Sequence, residues 1–323
     1  MRSALTASFL ILQFSSGWVQ ADPGQPADAM AWLQKIAASS RQISYTGTFV
    51  YHHGNQVETS RIWHFVDAGG EHERLAMLDG PLREIVRDNE DVTCYFPERE
   101  LMLVEKRTVG RFPALLPPQL LSGITENYVP VKAERDRVAG FSCQVVLLKP
   151  KDDLRYGRYF CAELATGLPL RVRTYNSNNE IVESFAFTSL SIGNGINKVM
   201  LKPHFAVESK NWHVDRAALD QNDAAGDAGW PVNPLPGFKR LTAIKRSLPG
   251  HPTMSQIVYS DGIAAVSIFI EPLPESPPAA GPAAHGAINI YVKPQTDRMI
   301  TVVGEVPPGA IKLIADSVTP EEK

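Results

Sequence analysis

Four of the eight histidines in the chain, His52, His53, His64 and His72, crowd into one stretch, FVYHHGNQVETSRIWHFVDAGGEH, residues 49–72. Imidazoles so dense could serve a metal ion, which needs its ligand nitrogens about 2 Å from one centre. Whether they meet depends on the backbone that carries them. The stretch alternates apolar and polar residues about a Gly-Asn pair, the pattern of a β-hairpin. Ile43, Tyr45, Phe49 and Tyr51 share one face of the first strand, and Val57, Trp63 and Phe65 one face of the second. The two faces coincide if the turn is the odd-numbered His53-Gly54-Asn55, pairing Tyr51 with Val57, Tyr45 with Trp63 and Ile43 with Phe65. His52 and His64 then lie on the polar face, roughly 27 Å apart at about 3.4 Å per residue. His53 falls in the turn or on the other face, and His72 follows a glycine pair. These histidines are therefore expected to be polar surface residues, and no metal site is predicted. The aromatic face, Tyr45, Phe49, Tyr51 and Trp63, is the more informative side. It either packs on a helix or lines an apolar groove that admits a lipid tail.

Other chemistry is missing its parts. GGEHER lacks the second histidine of a helical zinc-protease motif, and GNGIN lacks the third glycine of a dinucleotide loop. No phosphate-binding loop ending in Lys-Ser or Lys-Thr occurs, and no Gly-x-Ser-x-Gly elbow. Cys94, in VTCYFPE, reads as a core residue, and the Asp152-Asp153 pair falls in a turn. The chain is not expected to be an enzyme, and no cofactor motif is found.

The elements that hold these residues follow from the rest of the chain. Residues 1–21 run from Arg2 through the apolar FLILQF to a small-residue ending at Ala21, the layout of a signal peptide cleaved after Ala21. The apolar run is well short of the roughly 20 residues a membrane span needs, and no cysteine follows for lipid attachment. Removing these residues takes one basic residue from 32, leaving 31 Lys+Arg against 35 Asp+Glu, a net charge of −4. That balance gives no nucleic-acid footprint. In an exported chain three cysteines invite pairing. Cys143 and Cys161 lie in strand-like runs on either side of PKDDL, with Asp152 midway. A hairpin centred there places them opposite one another at about 4.5–5.5 Å, within the window of about 4.4–6.8 Å that a disulfide tolerates. A Cys143–Cys161 bridge is one expectation and three buried thiols the other.

DAMAWLQKIAASS puts Met30, Leu33, Ile36 and Ala37 at helical spacing, with Asp28 as N-cap. From residue 43 onward short alternating runs are separated by turn clusters, which reads as a large antiparallel sheet. RFPALLPPQLLSGI is too rich in proline for a strand. The expected division is a signal peptide 1–21, a large β domain 22–208, an Ala/Asp/Gly-rich linker 209–230 and a small α+β domain 231–323. In the last, four strand-like runs precede a helix whose Ile311, Ile314, Ala315 and Val318 share a face. The proline-rich 272–286 reads as a solvated polyproline-like loop.

Several runs resemble one known family. They are LDGPLREIVRDNEDVTCYFP (78–97), TGLPLRVRTYNSNNEIVESFAFT (166–188), the entry from Trp230 to Phe238, YSDGIAAVSIFIE (259–271) and ITVVGEVPPGAIKLIADSV (300–318). Together they look like the RseB/MucB family, periplasmic negative regulators of an envelope-stress sigma factor. The resemblance implies an α+β, mostly β chain. Its large domain would be an unclosed antiparallel β-barrel similar to the lipoprotein carriers LolA and LolB, with packed helices, followed by a small C-terminal sheet with one helix. It further implies binding to the periplasmic domain of a single-span anti-sigma factor, which is protected from proteolysis until lipid, lipopolysaccharide or lipoprotein acyl chains release the complex. No short family motif fixes the contact residues. The turn Tyr259, Ser260, Asp261 and Gly262 is expected near the partner surface, and Tyr45, Phe49, Tyr51 and Trp63 near any lipid. The Cys143/Cys161 pair, the linker and the proline-rich insert depart from the family pattern. A lipoprotein carrier of LolA type is the alternative, but it needs no second domain. An exported hydrolase lacks its nucleophile. Homo-oligomerisation is left open.

Overall fold

The computed structural model describes residues 26–106, 116, 121, 123–193, 195–216, 218–220, 230–247 and 254–319. The signal-peptide reading and most of RFPALLPPQLLSGI lie outside these residues. Helix α1 (Pro26–Gln42) opens the chain. It starts ahead of the expected cap, because Pro26 suits a first helical turn and Asp28 lies within that turn, where it meets Lys132 at 3.2 Å. Its Ala29, Leu33, Ile36 and Ala37 are buried.

The strands that follow are β1 (Tyr45–His53), β2 (Gln56–Asp67), β3 (Gly70–Met77), β4 (Glu84–Asp88), β5 (Asp91–Phe96) and β6 (Leu101–Lys106). After the short helix α2 (Ile124–Asn127) come β7 (Tyr128–Val138), β8 (Phe141–Pro150), β9 (Gly157–Glu163), β10 (Pro169–Tyr175), β11 (Ile181–Ile192) and β12 (His213–Arg216). They form a single twelve-stranded sheet in the order β12-β6-β5-β4-β3-β2-β1-β11-β10-β9-β8-β7. Two meanders are thus stitched together where β1 pairs with β11, and the two outer strands, β12 and β7, leave the sheet unclosed. Only β12 runs parallel to its neighbour, β6. The α1 helix lies across the inner face against β7 and β8. Between them sits one core in which Leu33 and Ile36 meet the inward side chains of the sheet, Tyr45, Phe49, Ile62, Phe185 and Phe187 among them. Gly47 is required here, since a Cβ would stand 2.6 Å from the Ser189 carbonyl and 2.8 Å from the Phe187 ring.

The second sheet comprises β13 (Ala218–Asp220), β14 (Lys239–Ser247), β15 (Met254–Ser260), β16 (Ala265–Pro272), β17 (Gly281–His285), β18 (Ile288–Gln295) and β19 (Arg298–Gly304), in the order β13-β14-β15-β16-β19-β18-β17. Helix α3 (Pro308–Ser317) covers β18 and β19, and Ile311, Ile314, Ala315 and Val318 are buried as their spacing predicts. The 272–286 segment is not one solvated loop. Its first part is exposed, but Gly281–His285 pairs with β18 as an edge strand, where proline is tolerated because one row of amides has no partner to serve. The expected linker begins as β12 in the large sheet and continues as β13 in the small one.

Cys143 and Cys161 form a disulfide with Cα atoms 5.4 Å apart. The β8–β9 register pairs Cys143 with Glu163 and Val145 with Cys161. The cysteines are therefore diagonal neighbours rather than directly opposed, and the hairpin is centred one residue later than expected. Strand twist draws one diagonal of such a pair together. Cys94 is a buried thiol outside the bridge. Closing a loop of 18 residues removes about 3 kcal/mol of unfolded-state entropy. The Cys143→Ala, Cys161→Ala double variant is expected to lose about that much in urea denaturation, and an unchanged midpoint would show that the bridge does not stabilise the domain.

Candidate functional site: the domain junction and the open end of the sheet

The hairpin that carries the histidines turns on two residues, Gly54 and Asn55, with Gly54 at φ +55°. A two-residue turn with positive φ matches strand twist better than the odd turn expected. The register is therefore shifted by one: His64 faces Tyr45, Trp63 faces Thr46, and His52 faces Val57. This corrects the aromatic face. Trp63 lies on the outer surface between the guanidinium groups of Arg61 and Arg74, at 5.0 and 4.7 Å. His64 is buried, stacks on Tyr45 with ring centroids 4.9 Å apart, and its Nδ1 lies 2.9 Å from the Ile43 carbonyl. His53 is buried as well, so neither is the surface residue expected. Among the described residues no group of three His, Cys, Asp or Glu side chains is placed to hold a metal ion. Tyr45 and Phe49 are each 2% exposed and packed with Phe185 and Phe187. These two side chains belong to the core of the large domain. Tyr51 is half-buried, and burial together with the neighbouring Glu183 holds its phenol far above the ordinary range.

The junction between the two sheets is polar and buried. Arg155 is fully enclosed and donates from Nε to Asp261 Oδ2 at 2.7 Å, from Nη1 to Asp152 and from Nη2 to the Pro236 carbonyl. The Tyr128 hydroxyl donates to the same Asp261 oxygen at 3.1 Å. Asp261 Oδ1 accepts the amides of Ile263 and Ala264, both at 2.9 Å, which shapes the turn at Gly262, φ +100°. Ser260 Oγ donates to the Ala264 carbonyl and accepts the Gly262 amide. The Tyr259–Gly262 turn was expected near a partner surface. Its partner is the large domain of the same chain, and its carboxylate, 0% exposed, is out of reach of any other. Taking two charges from water costs more than their attraction returns unless every lone pair is used. Here each Asp261 oxygen accepts two bonds, so the pair specifies one docking geometry.

Two further contacts flank it. Arg158 donates to Glu305 at 2.6 Å and to Thr174, and Asn289 donates to the Tyr156 hydroxyl at 2.9 Å and the Val306 carbonyl at 2.8 Å. Across the junction the rings of His53 and His285 lie 4.2 Å apart. Gly286, at φ +62°, sits so close that a Cβ would come within 2.7 Å of His53 Cβ. Beside them Glu183 is held above its ordinary 4.5 by burial, with Glu305 reinforcing the rise and Arg158 opposing it.

A cleft of about 740 Å³ runs between the start of β2 and the loops that follow β3 and β5. Val57, Met77, Leu82 and Phe96 give it an apolar lining, and Arg83 and Arg99 line it together with Glu58, Asp79 and Glu98. Val57 and Leu82 are more than half exposed, and the buried Arg83 Nε has no hydrogen-bond partner among the described residues. An apolar cleft edged by charges of both signs suits an amphiphile with a polar head.

The fold is that of a two-domain chain, its domains bolted by buried charge and its large sheet unclosed between β12 and β7. The chain belongs to the MucB/RseB family: residues 28–205 match the MucB/RseB N-terminal domain and residues 224–319 the MucB/RseB C-terminal domain. It is 33% identical to the Sigma factor AlgU regulatory protein MucB of Pseudomonas aeruginosa, over 98% of each chain. The solved MucA/MucB complex of that organism superposes with a TM-score of 0.72 at 30% identity, covering 92% of this chain and 100% of the other. MucB bound to MucA(peri) gives 0.71 at 29% identity with the same coverage.

Removing the Asp261 carboxylate strands Arg155 in a dry site, so Asp261→Ala is expected to cost about 3–5 kcal/mol and to uncouple the domains. Scanning calorimetry would show two separate transitions where the unaltered chain gives one. Glu183 supplies a pH signature. A carboxyl whose folded affinity for protons exceeds its unfolded one favours the folded state at low pH, and that contribution is lost as pH rises from the ordinary glutamate range through the raised value. Glu183→Gln is thus expected to gain stability relative to the unaltered protein at neutral pH and not below the carboxylate range, read from urea midpoints at both.

Proposed function

We propose that this protein is an exported periplasmic regulator that binds the periplasmic segment of a single-span anti-sigma factor and shields it from proteolysis, keeping an envelope-stress sigma factor off. One observation carries this reading: both domains, in order, match MucB along nearly the whole chain, and MucB is the partner of MucA in the solved complex. Export rests on the signal-peptide layout of residues 1–21, with cleavage after Ala21. The proposed division is a large domain 22–208 and a small domain 231–323 joined by 209–230. The buried junction supports a role for both domains, because it presents them to a partner in one fixed arrangement.

A releasing ligand of lipid or lipopolysaccharide type would enter the cleft between the start of β2 and the loops that follow β3 and β5. Its chain would meet Val57, Met77, Leu82 and Phe96, and its acidic group Arg83 and Arg99. This replaces the inward aromatic face as the lipid-binding surface. The same cleft favours a carrier as the second reading.

The mature protein is expected to co-purify with the periplasmic segment of the anti-sigma factor encoded beside it and to slow cleavage of that segment by its site-1 protease. Leu82→Asp with Arg83→Ala is expected to keep partner binding while abolishing release by an acidic amphiphile. Failure to bind the segment, with lipid retained in the cleft, would establish the carrier instead.

A further inference from the structure

Residues 195–212 form a strap over the outer face of the large sheet. Its Met200 carbonyl accepts from Arg74 Nη1 at 3.3 Å, and its His204 amide donates at 2.8 Å to Glu84, itself buried and paired with Arg74. Lys198 pairs with Asp67 at 2.7 Å, and Trp212 packs on Tyr95. Leu201 and Ser209 are the strap's buried residues, turned towards the sheet. Val199, Met200, Lys202, Val207 and Lys210 of the strap are exposed.

Those side chains have an unusual composition. Of the twelve large apolar residues that stand exposed among the described residues, Val199, Met200, Val207 and Val214 fall within residues 199–214, with Val199 at 68% and Val207 at 75% exposure. Lys202, Lys210 and Arg216 are exposed among them. From 198 to 216 four basic residues, Lys198, Lys202, Lys210 and Arg216, stand against two acidic ones, Glu208 and Asp215, a net +2 on a chain of net −3. Aliphatic side chains interleaved with lysines on an outward face have the chemistry of an interfacial membrane contact: the apolar groups enter the acyl boundary and the cations meet anionic headgroups. A second copy of this acidic chain would not supply the complementary charge.

We infer that this strap, with the adjoining β12, docks the protein on an anionic phospholipid bilayer, with Val199, Met200 and Val207 entering the interface and Lys202, Lys210 and, from β12, Arg216 on the headgroups. Each basic residue near such a surface raises partitioning about fivefold. The contact is therefore weak alone and adds to whatever else holds the protein near a membrane. It does not depend on the partner-binding reading, since vesicles free of protein test it.

The full mature chain is to be sedimented with vesicles rich in phosphatidylglycerol and, separately, with phosphatidylcholine vesicles. Binding is expected to the first and not the second, weakening about tenfold as salt shortens the screening length. Lys202→Glu with Lys210→Glu is expected to lower partitioning about a hundredfold, and Val199→Asp with Val207→Asp at least about tenfold. Both variants should melt as the unaltered protein does, because all four side chains are exposed. Leu82→Asp, in the cleft, should leave vesicle binding unchanged, which separates docking from capture of single amphiphiles. Equal binding to both vesicle types, no binding to either, or strap variants that bind normally would overturn the proposal. So would a vesicle-free dimer that Val207→Asp dissociates, which would assign the face to a second copy.

Discussion

A single carboxylate holds the two halves of this molecule in register. Asp261 belongs to a tight turn in the small domain, yet its Oδ2 is claimed by Arg155 and Tyr128 of the large one. Arg155 spends its remaining donors on Asp152 and Pro236, so that it ties its own β8–β9 turn to the chain entering the small domain. Such a site is strongly selective in geometry. A displacement that an apolar interface would absorb leaves a buried charge unsatisfied here. The arrangement presented to a partner is therefore close to all-or-none.

The large sheet poses the complementary problem. Twelve strands that do not close leave a face and two edges to be covered. The inner face is covered by α1 and by the aromatic cluster about Phe187. On the outside, the strap pinned through Glu84 does the same for β2 to β5. The cleft where Val57, Leu82 and Arg83 stand is left uncovered, and the lipid reading rests there.

How much of this was legible in the sequence depended on the range of the interaction. The helix face of Ile311, Ile314, Ala315 and Val318 could be read because its period is local. The Cys143–Cys161 bridge was within reach of a hairpin argument even though the register was off by one residue. The hairpin at Gly54 failed on a local choice: matching aromatic faces favoured an odd turn, while backbone twist favours two residues. That one step turned Trp63 outward and buried His64. The expectation that histidines mark surface missed the stacking on Tyr45 and the Ile43 carbonyl that together satisfy His64 inside. Arg155 gave no signal at all. In KDDLRYG it is one more charge in a polar turn, and its partner is 106 residues away. Nor did any pattern foretell the cleft, which is assembled from the start of β2 and two separate loops.

The pairing of β1 with β11 has a consequence for how the chain comes into being. One edge of β1 is paired by the next strand, β2, but its other edge meets Tyr45 with Ile192 and Phe49 with Phe187, so the first strand of the sheet cannot be sandwiched until the eleventh has been made. Contacts so distant along the chain slow folding and prolong the exposure of apolar strands. For a polypeptide delivered N-terminus first, one edge of an aromatic strand must wait for its second neighbour while about 130 residues follow it. Biogenesis of this protein is thus set by its topology to need protection from aggregation well before any partner is met.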